Sequence, residues 1–233
     1  MNHLWHFADL PLGTTVYRNN YRYASGDDIV HASNRCITTL EAPPGQRTDL
    51  TKAEALEFLV HLVGDIHQPL HCGCGYYEIQ GRQVALITDP EKAFRHPTDK
   101  GGNDLIYGKS HFQELHGFWD TTLTERAGHS PDDRKLLGVL KSQVNIEGGR
   151  TAGDYHQWAE EWVVESVREA RGAYEGVVFQ EAEAGKNGKL KSIHIRLPAD
   201  YDRGQINRAA DQLARPGCIW RGVERGGVAV RWR

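Results

Sequence analysis

The segment from Leu56 to His71, with the sequence LEFLVHLVGDIHQPLH, restricts the fold of this chain more than any other. Its apolar residues recur with the spacing of an α-helix and cover most of the circumference, which is typical of a helix buried in a core. Pro69 cannot continue such a helix, and it pushes Gln68 into an extended conformation. The sequence therefore predicts a buried helix that ends before Pro69, with His71 in the connection just past its end.

The same segment carries polar residues that a buried helix rarely contains. His61 and Asp65 are four residues apart, so their Cβ atoms lie about 5–6 Å apart on one face. Asp65 falls in the last turn, where the helix dipole disfavours a negative charge, so a buried carboxylate there needs a cation beside it. One such residue is usually a hydrogen-bonded core residue. Because His71 follows and the spacing recurs at His116 and Asp120, the pattern favours metal binding.

One alternative motif in this segment can be excluded. His67 and His71 have the spacing of the two histidines of the HExxH zinc-protease motif. However, Gln68 cannot serve as a general base, and Pro69 disrupts the helix that this motif requires. His67 also points about 120° away from His61 on the helix, so we leave it out of the candidate site.

Length and charge restrict the class of protein. The 233 residues are enough for one domain with a full core. The net charge of −3 indicates no basic surface for nucleic acid or anionic membrane, so a bound polyanion would require a local site such as a metal centre. No apolar run approaches the ~20 residues of a membrane span, and the start MNHLWHFADL lacks the pattern of a signal peptide.

The cysteines leave two possibilities open. Cys36, Cys72, Cys74 and Cys218 form no CxxC pair, and Cys72 and Cys74 are too close for a routine mutual disulfide. Free thiols and one longer-range disulfide are both compatible with this spacing. The cysteine pattern therefore does not indicate the redox compartment.

The remaining patterns predict a mainly α fold in one domain with a small β-hairpin insert. Residues 76–88 alternate between apolar and polar positions around Gly81, which predicts the hairpin. Residues 1–215 are expected to form the domain, and residues 216–233 are an atypical tail without helical periodicity. The predicted helices span about residues 29–42, 52–68, 110–127, 131–144, 151–174 and 203–215, with N-caps at Asp27 or Asp28, Thr51 and Ser110.

The chemistry of the candidate ligands points to zinc. Imidazole and carboxylate groups without thiolate are typical of catalytic zinc sites, which use three protein ligands and keep one open position. Several zinc ions in one polar cavity indicate hydrolysis of a phosphate ester. One complete ligand set comprises His71, His116 and Asp120, and a second comprises His61, Asp65 and His6.

These residues lie in motifs that resemble the zinc-dependent, single-strand-preferring nucleases of the S1/P1 type. The resemblance extends over residues ~4–215 and implies a mainly α fold that is shared with the trinuclear-zinc bacterial phospholipases C. It implies Zn²⁺ as cofactor, with three ions in the intact family. The matching motifs are WHFAD at residues 5–9, EALEFLVHLVGDIHQPLH at 54–71, GGN at 101–103 and LHGFWD at 115–120.

The resemblance also implies a metal-binding role for each candidate ligand. His6 and His61 correspond to ligands of the first zinc. Asp65 corresponds to a catalytic carboxylate that bridges the first and third zinc ions. The ligands of the second zinc correspond to His71, His116 and Asp120.

Three further residues correspond to positions that contact the substrate, which for the family is single-stranded DNA or RNA cleaved to 5′-phosphate products. Phe7 would stack on a base, Asp9 would hydrogen-bond the base edge, and Asn103 would contact phosphate. Stacking on one ring requires an unpaired base, which explains a single-strand preference. Core packing for Phe7, a helix cap or solvent contact for Asp9 and loop structure for Asn103 are the alternatives.

The N-terminus departs from the family pattern. The family places further zinc ligands upstream of WHFAD, whereas only four residues precede that motif here. We therefore expect an N-terminally truncated chain that holds at most two zinc ions. A secreted or periplasmic location would follow only if a missing segment carried a signal peptide, and no protein partner is indicated. A phospholipase C-like phosphodiesterase and a non-catalytic metal-binding remnant are the alternative functions.

Overall fold

A computed structural model describes residues 3–110, 113–127, 151, 153–185 and 189–225, with the backbone alone after residue 215. The helix predicted over residues 131–144 lies outside these residues. Among the described residues, no helix is long and apolar enough to cross a membrane. Cys36, Cys72 and Cys74 are buried free thiols, and the side chain of Cys218 lies outside the described part.

Four of the described helices begin at side-chain caps, and two of these caps are the predicted ones. Asp28 accepts hydrogen bonds from the backbone N–H groups of Val30 and His31. Thr51 and Glu54 form the capping box that starts the central helix. A 3₁₀ turn spans His3–His6, and the α-helices are α1 (Ile29–Glu41), α2 (Lys52–Ile66), α3 (Pro69–Cys72), α4 (Pro90–Ala93), α5 (Leu115–Gly117), α6 (Thr124–Ala127), α7 (Trp158–Ala173) and α8 (Tyr201–Arg225).

The predicted capping box at Ser110 does not start a helix. Gln113 Oε1 instead accepts the backbone N–H groups of Lys109 and Ser110 in a local turn. The helical stretch begins at Leu115, after an N-cap at Glu114 that makes no side-chain capping bond. The prediction that a helix starts at Ser110 is therefore wrong.

Two other helix boundaries also differ from the predicted ones. The helix predicted from residue 151 begins at Trp158, because the residues just before it form turns in which Gln157 N–H donates to the carbonyl of Asp154. The last helix was predicted to end near residue 215, but its backbone stays helical to Arg225. Helical conformation therefore continues into the segment where the sequence shows no helical period.

The β-structure is more extensive than one hairpin. Strands β3 and β4 pair antiparallel around Gly81, whose φ of +63° suits glycine in a tight turn. A three-stranded sheet of order β5–β7–β6, with β5 parallel to β7, was not predicted. The strands are β1 (Leu10–Pro11), β2 (Gly73–Cys74), β3 (Tyr76–Gln80), β4 (Gln83–Ile87), β5 (Leu105–Ile106), β6 (Val178–Ala184) and β7 (Leu190–Arg196).

Two hydrophobic clusters meet beside α3. The first joins α1, α2 and α7, and its buried residues include Val30, Leu62 and Val163. The second joins the three-stranded sheet to α5 and the start of α8, around Ile193 and Trp119. The short parallel ladder between β1 and β2 holds the N-terminal segment against α3 at the seam of the two clusters.

The central helix is less buried than its sequence predicts. Its buried residues lie on one side of α2 and include Leu62, Val63 and Ile66. Leu56 and Val60, which lie further round the helix from Ile66, are only half-buried, and His61 is exposed. The prediction of a helix that is buried around most of its circumference is therefore wrong. The apolar stretch contacts neighbours on one side and leaves the histidine face open.

His67 is a core residue, as its exclusion from the site requires. Its Nδ1 donates to the carbonyl of Val63 at 2.8 Å, and its ring packs against Trp162 with centroids 5.4 Å apart. Burial lowers the pKa of His67 to about 4. The folded chain therefore holds this imidazole neutral well below the pH at which the unfolded chain binds a proton.

We expect His67 to make folding stability fall as pH decreases from about 6.5 to about 4, because protons then bind the unfolded chain preferentially. A His67→Asn variant keeps a donor for Val63 but cannot titrate. The free energy of unfolding of the parent should therefore fall by about 3 kcal/mol more than that of the variant over this window. Urea denaturation at several pH values measures both. Identical pH profiles for parent and variant would contradict this role, and exposed His156→Asn is the control.

Candidate metal centre

The first donor group brings together His6, His61 and Asp65. His6 ends the 3₁₀ turn, and the other two lie on one face of α2. Asp65 Oδ2 is 2.7 Å from His6 Nδ1 and 3.0 Å from His61 Nε2, and the two nitrogens are 3.1 Å apart. A tetrahedral zinc with bonds of ~2.1 Å separates its ligand atoms by about 3.4 Å. The three atoms therefore have nearly the spacing that one zinc ion requires.

The second donor group brings together His71, His116 and Asp120 from α3, α5 and the turn after it. Asp120 carboxylate oxygens lie 3.6 Å from His71 Nε2 and 3.4 Å from His116 Nε2. The two rings lie 4.9 Å apart between centroids. Among the described residues, these two groups are the sets of three His, Cys, Asp or Glu whose ligand atoms converge within 4.8 Å. All six residues predicted as ligands thus fall into the two predicted sets.

Backbone carbonyls orient both imidazoles of the second group. His71 Nδ1 donates to the carbonyl of His6 at 2.7 Å, and His116 Nδ1 donates to the carbonyl of Gly101 at 2.8 Å. A proton on Nδ1 leaves the lone pair on Nε2, which faces Asp120 in both residues. Such bonds fix the tautomer and raise the basicity of histidine ligands. This arrangement leaves both Nε2 atoms available to a metal ion, as the predicted ligand set requires.

Gln68 supports this group in a way that the sequence analysis missed. Its Oε1 accepts the backbone N–H of Leu70 and caps α3, the turn that carries His71. Its Nε2 donates to Asp120 Oδ1 at 2.7 Å. One amide therefore positions a histidine through the backbone and a carboxylate directly. Gln68 followed by Pro69 was a sequence signal for the capping of α3. The hydrogen bond to Asp120 had no such signal, because it joins residues 52 positions apart.

The Gly101–Gly102 pair provides the carbonyl for His116. Gly101 has φ of +63°, and a Cβ there would lie 2.0 Å from the carbonyl oxygen of Leu70, so no other residue fits without rearrangement. Asp99 anchors the loop from within the core. Its carboxylate accepts hydrogen bonds from Tyr77 and Tyr174 hydroxyls and from the N–H groups of Gly75 and Gly102.

A π-helical turn sets the direction of Asp120. Residues Phe118–Leu123 form this turn between α5 and α6. The wider turn leaves Trp119 and Leu123 buried in the second cluster while Asp120 points to the two histidines. Such turns occur frequently at functional sites. The four-residue spacing of His116 and Asp120 predicted their contact correctly, although not the type of helix.

The electrostatics of the second group favour a bound cation. Burial acts to raise the pKa of Asp120, but hydrogen bonds from His116, His71 and Gln68 outweigh it and hold that pKa well below its usual range. Burial acts to lower the pKa of His71, yet the Asp120 carboxylate outweighs it and raises that pKa. A proton and a metal ion therefore compete for Nε2 of His71, the atom that faces Asp120.

The residues predicted to contact substrate lie around these groups. Phe7 is half-buried and belongs to none of the three hydrophobic clusters of the described residues. Burial raises the pKa of Asp9, whose neighbours include Lys100, Cys74 and His116. Asn103 is exposed, and its Nδ2 donates to the carbonyl of Lys100 at 2.7 Å, which is a loop-stabilising bond. One N–H of that amide remains for another acceptor.

The sequence matches the S1/P1 Nuclease family over residues 1–218, which include both donor groups. The chain belongs to this family. Endonuclease 1 of Arabidopsis thaliana is 29% identical over an alignment of 172 residues that covers 68% of this chain and 46% of the relative. Nuclease S1 of Aspergillus oryzae is 28% identical over 142 residues, which are 60% of this chain and 38% of the relative. The chain thus spans less than half the length of these relatives of the S1/P1 nuclease family.

Ligands and supporting residues of the S1/P1 site should respond differently to mutation. We expect His71→Ala and Asp120→Ala each to lower the zinc content at saturation by about one ion, because each leaves two protein ligands. Gln68→Ser keeps a good N-cap for α3 but cannot reach Asp120. It should leave the zinc content unchanged and weaken zinc affinity about 10- to 100-fold, as loss of an outer-shell partner does.

Zinc counting by mass spectrometry of the native protein and competition with a chelator measure these two quantities. His156→Ala, which removes an exposed histidine just before the start of α7, should match the parent in both. Unchanged zinc content in both His71→Ala and Asp120→Ala would refute the second donor group. Unchanged affinity in Gln68→Ser would show that the bond to Asp120 has no influence on the metal.

Proposed function

We propose that this chain is a zinc-dependent endonuclease that hydrolyses phosphodiester bonds of single-stranded DNA and RNA and leaves 5′-phosphates. The observation that supports this most directly is the placement of two His₂Asp groups side by side. His71 of one group donates to the backbone carbonyl of His6 in the other, so the two groups share a wall. Membership of a nuclease family and relatives named as nucleases support the same class of reaction.

Zinc is the metal that the donor chemistry favours. Both groups offer imidazole nitrogen and carboxylate oxygen without thiolate, and each set of three leaves a coordination position open. When bound, zinc ions supply Lewis acidity toward a phosphoryl oxygen and lower the pKa of a water molecule. The described residues offer donors for two such ions, so we propose a content of two zincs for this chain.

The protein side chains would hold and orient these groups rather than transfer protons themselves. Asp65 contacts both histidines of the first group through one oxygen, so its other oxygen remains for a shared ligand role. His61 is 51% exposed, which leaves the first group accessible to a polymer from solvent. The second group is more enclosed, since His71 and His116 are each 15% exposed. Substrate would therefore enter over His61.

Three residues would select a single strand at this entrance. Phe7 directly follows the ligand His6, so a base that stacks on its ring lies next to the metal groups. Asp9 can hydrogen-bond the edge of that base, and the free N–H of Asn103 can contact a phosphate oxygen. A base must leave its duplex partner in order to stack in this way.

The proposed activity can be separated from its alternatives in one set of assays. The zinc-loaded chain should cleave single-stranded DNA and RNA, should cleave the matching duplex far more slowly, and should not hydrolyse a phosphocholine lipid. The products should accept ligation at their 5′ ends without added kinase. Lipid hydrolysis without nucleic-acid cleavage would instead identify a phospholipase. Zinc binding without hydrolysis of any substrate would identify a non-catalytic metal-binding protein.

Phe7→Ala should weaken binding of a single-stranded oligonucleotide by about 1–3 kcal/mol, the usual contribution of one stacked base. Asp9→Asn should alter the ratio of cleavage at different bases more than the overall affinity, because it changes the hydrogen bonds offered to the base edge. Fluorescence anisotropy with homopolymer oligonucleotides measures both effects. Tyr155→Ala removes an exposed aromatic residue elsewhere in the chain and is the control. Parent-like binding by Phe7→Ala would assign Phe7 to core packing.

A further inference from the structure

A cleft of about 1010 Å³ lies between the β3–β4 hairpin and the three-stranded sheet. Its walls are the hairpin tip near Arg82, the loop of residues 95–100, and the facing ends of β6 and β7. This volume reaches the upper end of the ~300–1,000 Å³ range of small-molecule pockets. Its charged lining comprises Arg82, Arg95, Lys100, Lys189, Asp104 and Glu183.

The acidic residues of this cleft already have basic partners. Asp104 pairs with Lys100 at 2.9 Å, and Glu183 pairs with Lys191 at 2.9 Å and with His194 at 3.0 Å. Arg82 pairs with Glu181 at 2.9 Å. The cations of Arg95 and Lys189, by contrast, form no ion pair with any residue that the structure describes. The cleft thus has an excess of positive charge in a chain whose net charge is −3.

The loop of residues 95–100, which presents Arg95 and Lys100 to the cleft, is held in a fixed, uncommon conformation. Arg95 and Lys100 have φ of +73° and +54°, and both lie in the left-handed region that non-glycine residues seldom occupy. Backbone bonds between them pin the loop to the hairpin, with Tyr77 N–H donating to the carbonyl of Pro97 and Asp99 N–H to that of Gly75. The cations are therefore presented by backbone whose position is set before any ligand binds.

The cleft is continuous with the candidate metal centre along the chain. Lys100 immediately precedes Gly101, whose carbonyl orients the ligand His116. Burial raises the pKa of Asp9, and the ammonium of Lys100 lies near enough to oppose that rise. The Lys100 end of the cleft is therefore the end nearer to the candidate metal centre.

We propose that this cleft binds phosphates of single-stranded nucleic acid several nucleotides away from the bond that is cleaved, through Arg95 and Lys189. The inference rests on the proposed nuclease function and adds an extended subsite to it. Fixed cations along a groove are the means by which proteins follow a single-stranded backbone without reading its sequence. The subsite would favour long substrates over short ones.

The test compares two double variants that remove the same charge. Arg95→Ala/Lys189→Ala removes the two cations from the cleft. Arg47→Ala/Arg203→Ala removes two exposed cations that do not line it and that form no ion pair with a described residue. Binding of the zinc-loaded proteins is measured with a phosphorothioate oligonucleotide of about 12 nucleotides, within the usual ~4–16 nucleotide site size, and with a dinucleotide.

The cleft variant should bind the long probe roughly 10- to 30-fold more weakly at about 0.1 M salt, and its slope of log K against log salt should fall by about 1.4, or ~0.7 per lost phosphate contact. Its dinucleotide binding and zinc content should equal those of the parent, and Arg95→Lys/Lys189→Arg should restore the long-probe affinity. The Arg47→Ala/Arg203→Ala control should bind both probes as the parent does.

If the parent binds single strands and the cleft and control variants bind the long probe equally well, the subsite is overturned and the nuclease function is left intact. An equal loss with both probes would also overturn it, since the two cations would then act at the metal centre. The proposed function itself would be refuted if the parent neither bound nor cleaved the same oligonucleotides with ordinary phosphodiester bonds.

Discussion

The hydrogen bond from His71 Nδ1 to the backbone carbonyl of His6 joins the two donor groups, and the geometry of the whole site depends on it. The bond fixes the tautomer of one ligand by using the backbone of another. Ala8 N–H donates to the carbonyl of His71 at 2.8 Å and closes the same contact from the other side. Any shift of the N-terminal segment relative to α3 would therefore disturb both groups together.

Backbone carbonyls orient two of the candidate ligands, and this requirement explains why a glycine lies beside one of them. The carbonyl of Gly101 reaches His116 only because the loop packs directly on Leu70, where a Cβ would overlap the backbone. Asp99 holds this loop through hydrogen bonds that come from four neutral donors, and burial raises its pKa to about 6. The loop thus depends on a carboxylate that is far from the surface and takes no direct part in the site.

The sequence predicted those parts of the site whose geometry is local. The contacts His61–Asp65 and His116–Asp120 follow from residues four apart on a helix, and both were predicted correctly. The bond from Gln68 to Asp120 and the three-stranded sheet depend on packing between distant segments, which no local pattern encodes. The partial exposure of α2 was missed for the same reason, because periodicity shows which residues are apolar but not which neighbours cover them. His6 was predicted as the third member of the set with His61 and Asp65, although no spacing rule links it to them.

The two-residue ladder between β1 and β2 has a consequence for the order in which the chain folds. His6 is 59 residues from Asp65 and 65 residues from His71, whereas His61, Asp65 and His71 lie within one helix and the turn after it. Local contacts form early, and contacts across long loops form late because closing the loop costs conformational entropy first. A ladder of two residue pairs cannot hold the N-terminal segment until the surface beside α3 exists. Docking of that segment is therefore expected to be a late step, and a nascent or partly folded chain would carry only an incomplete first set of ligands.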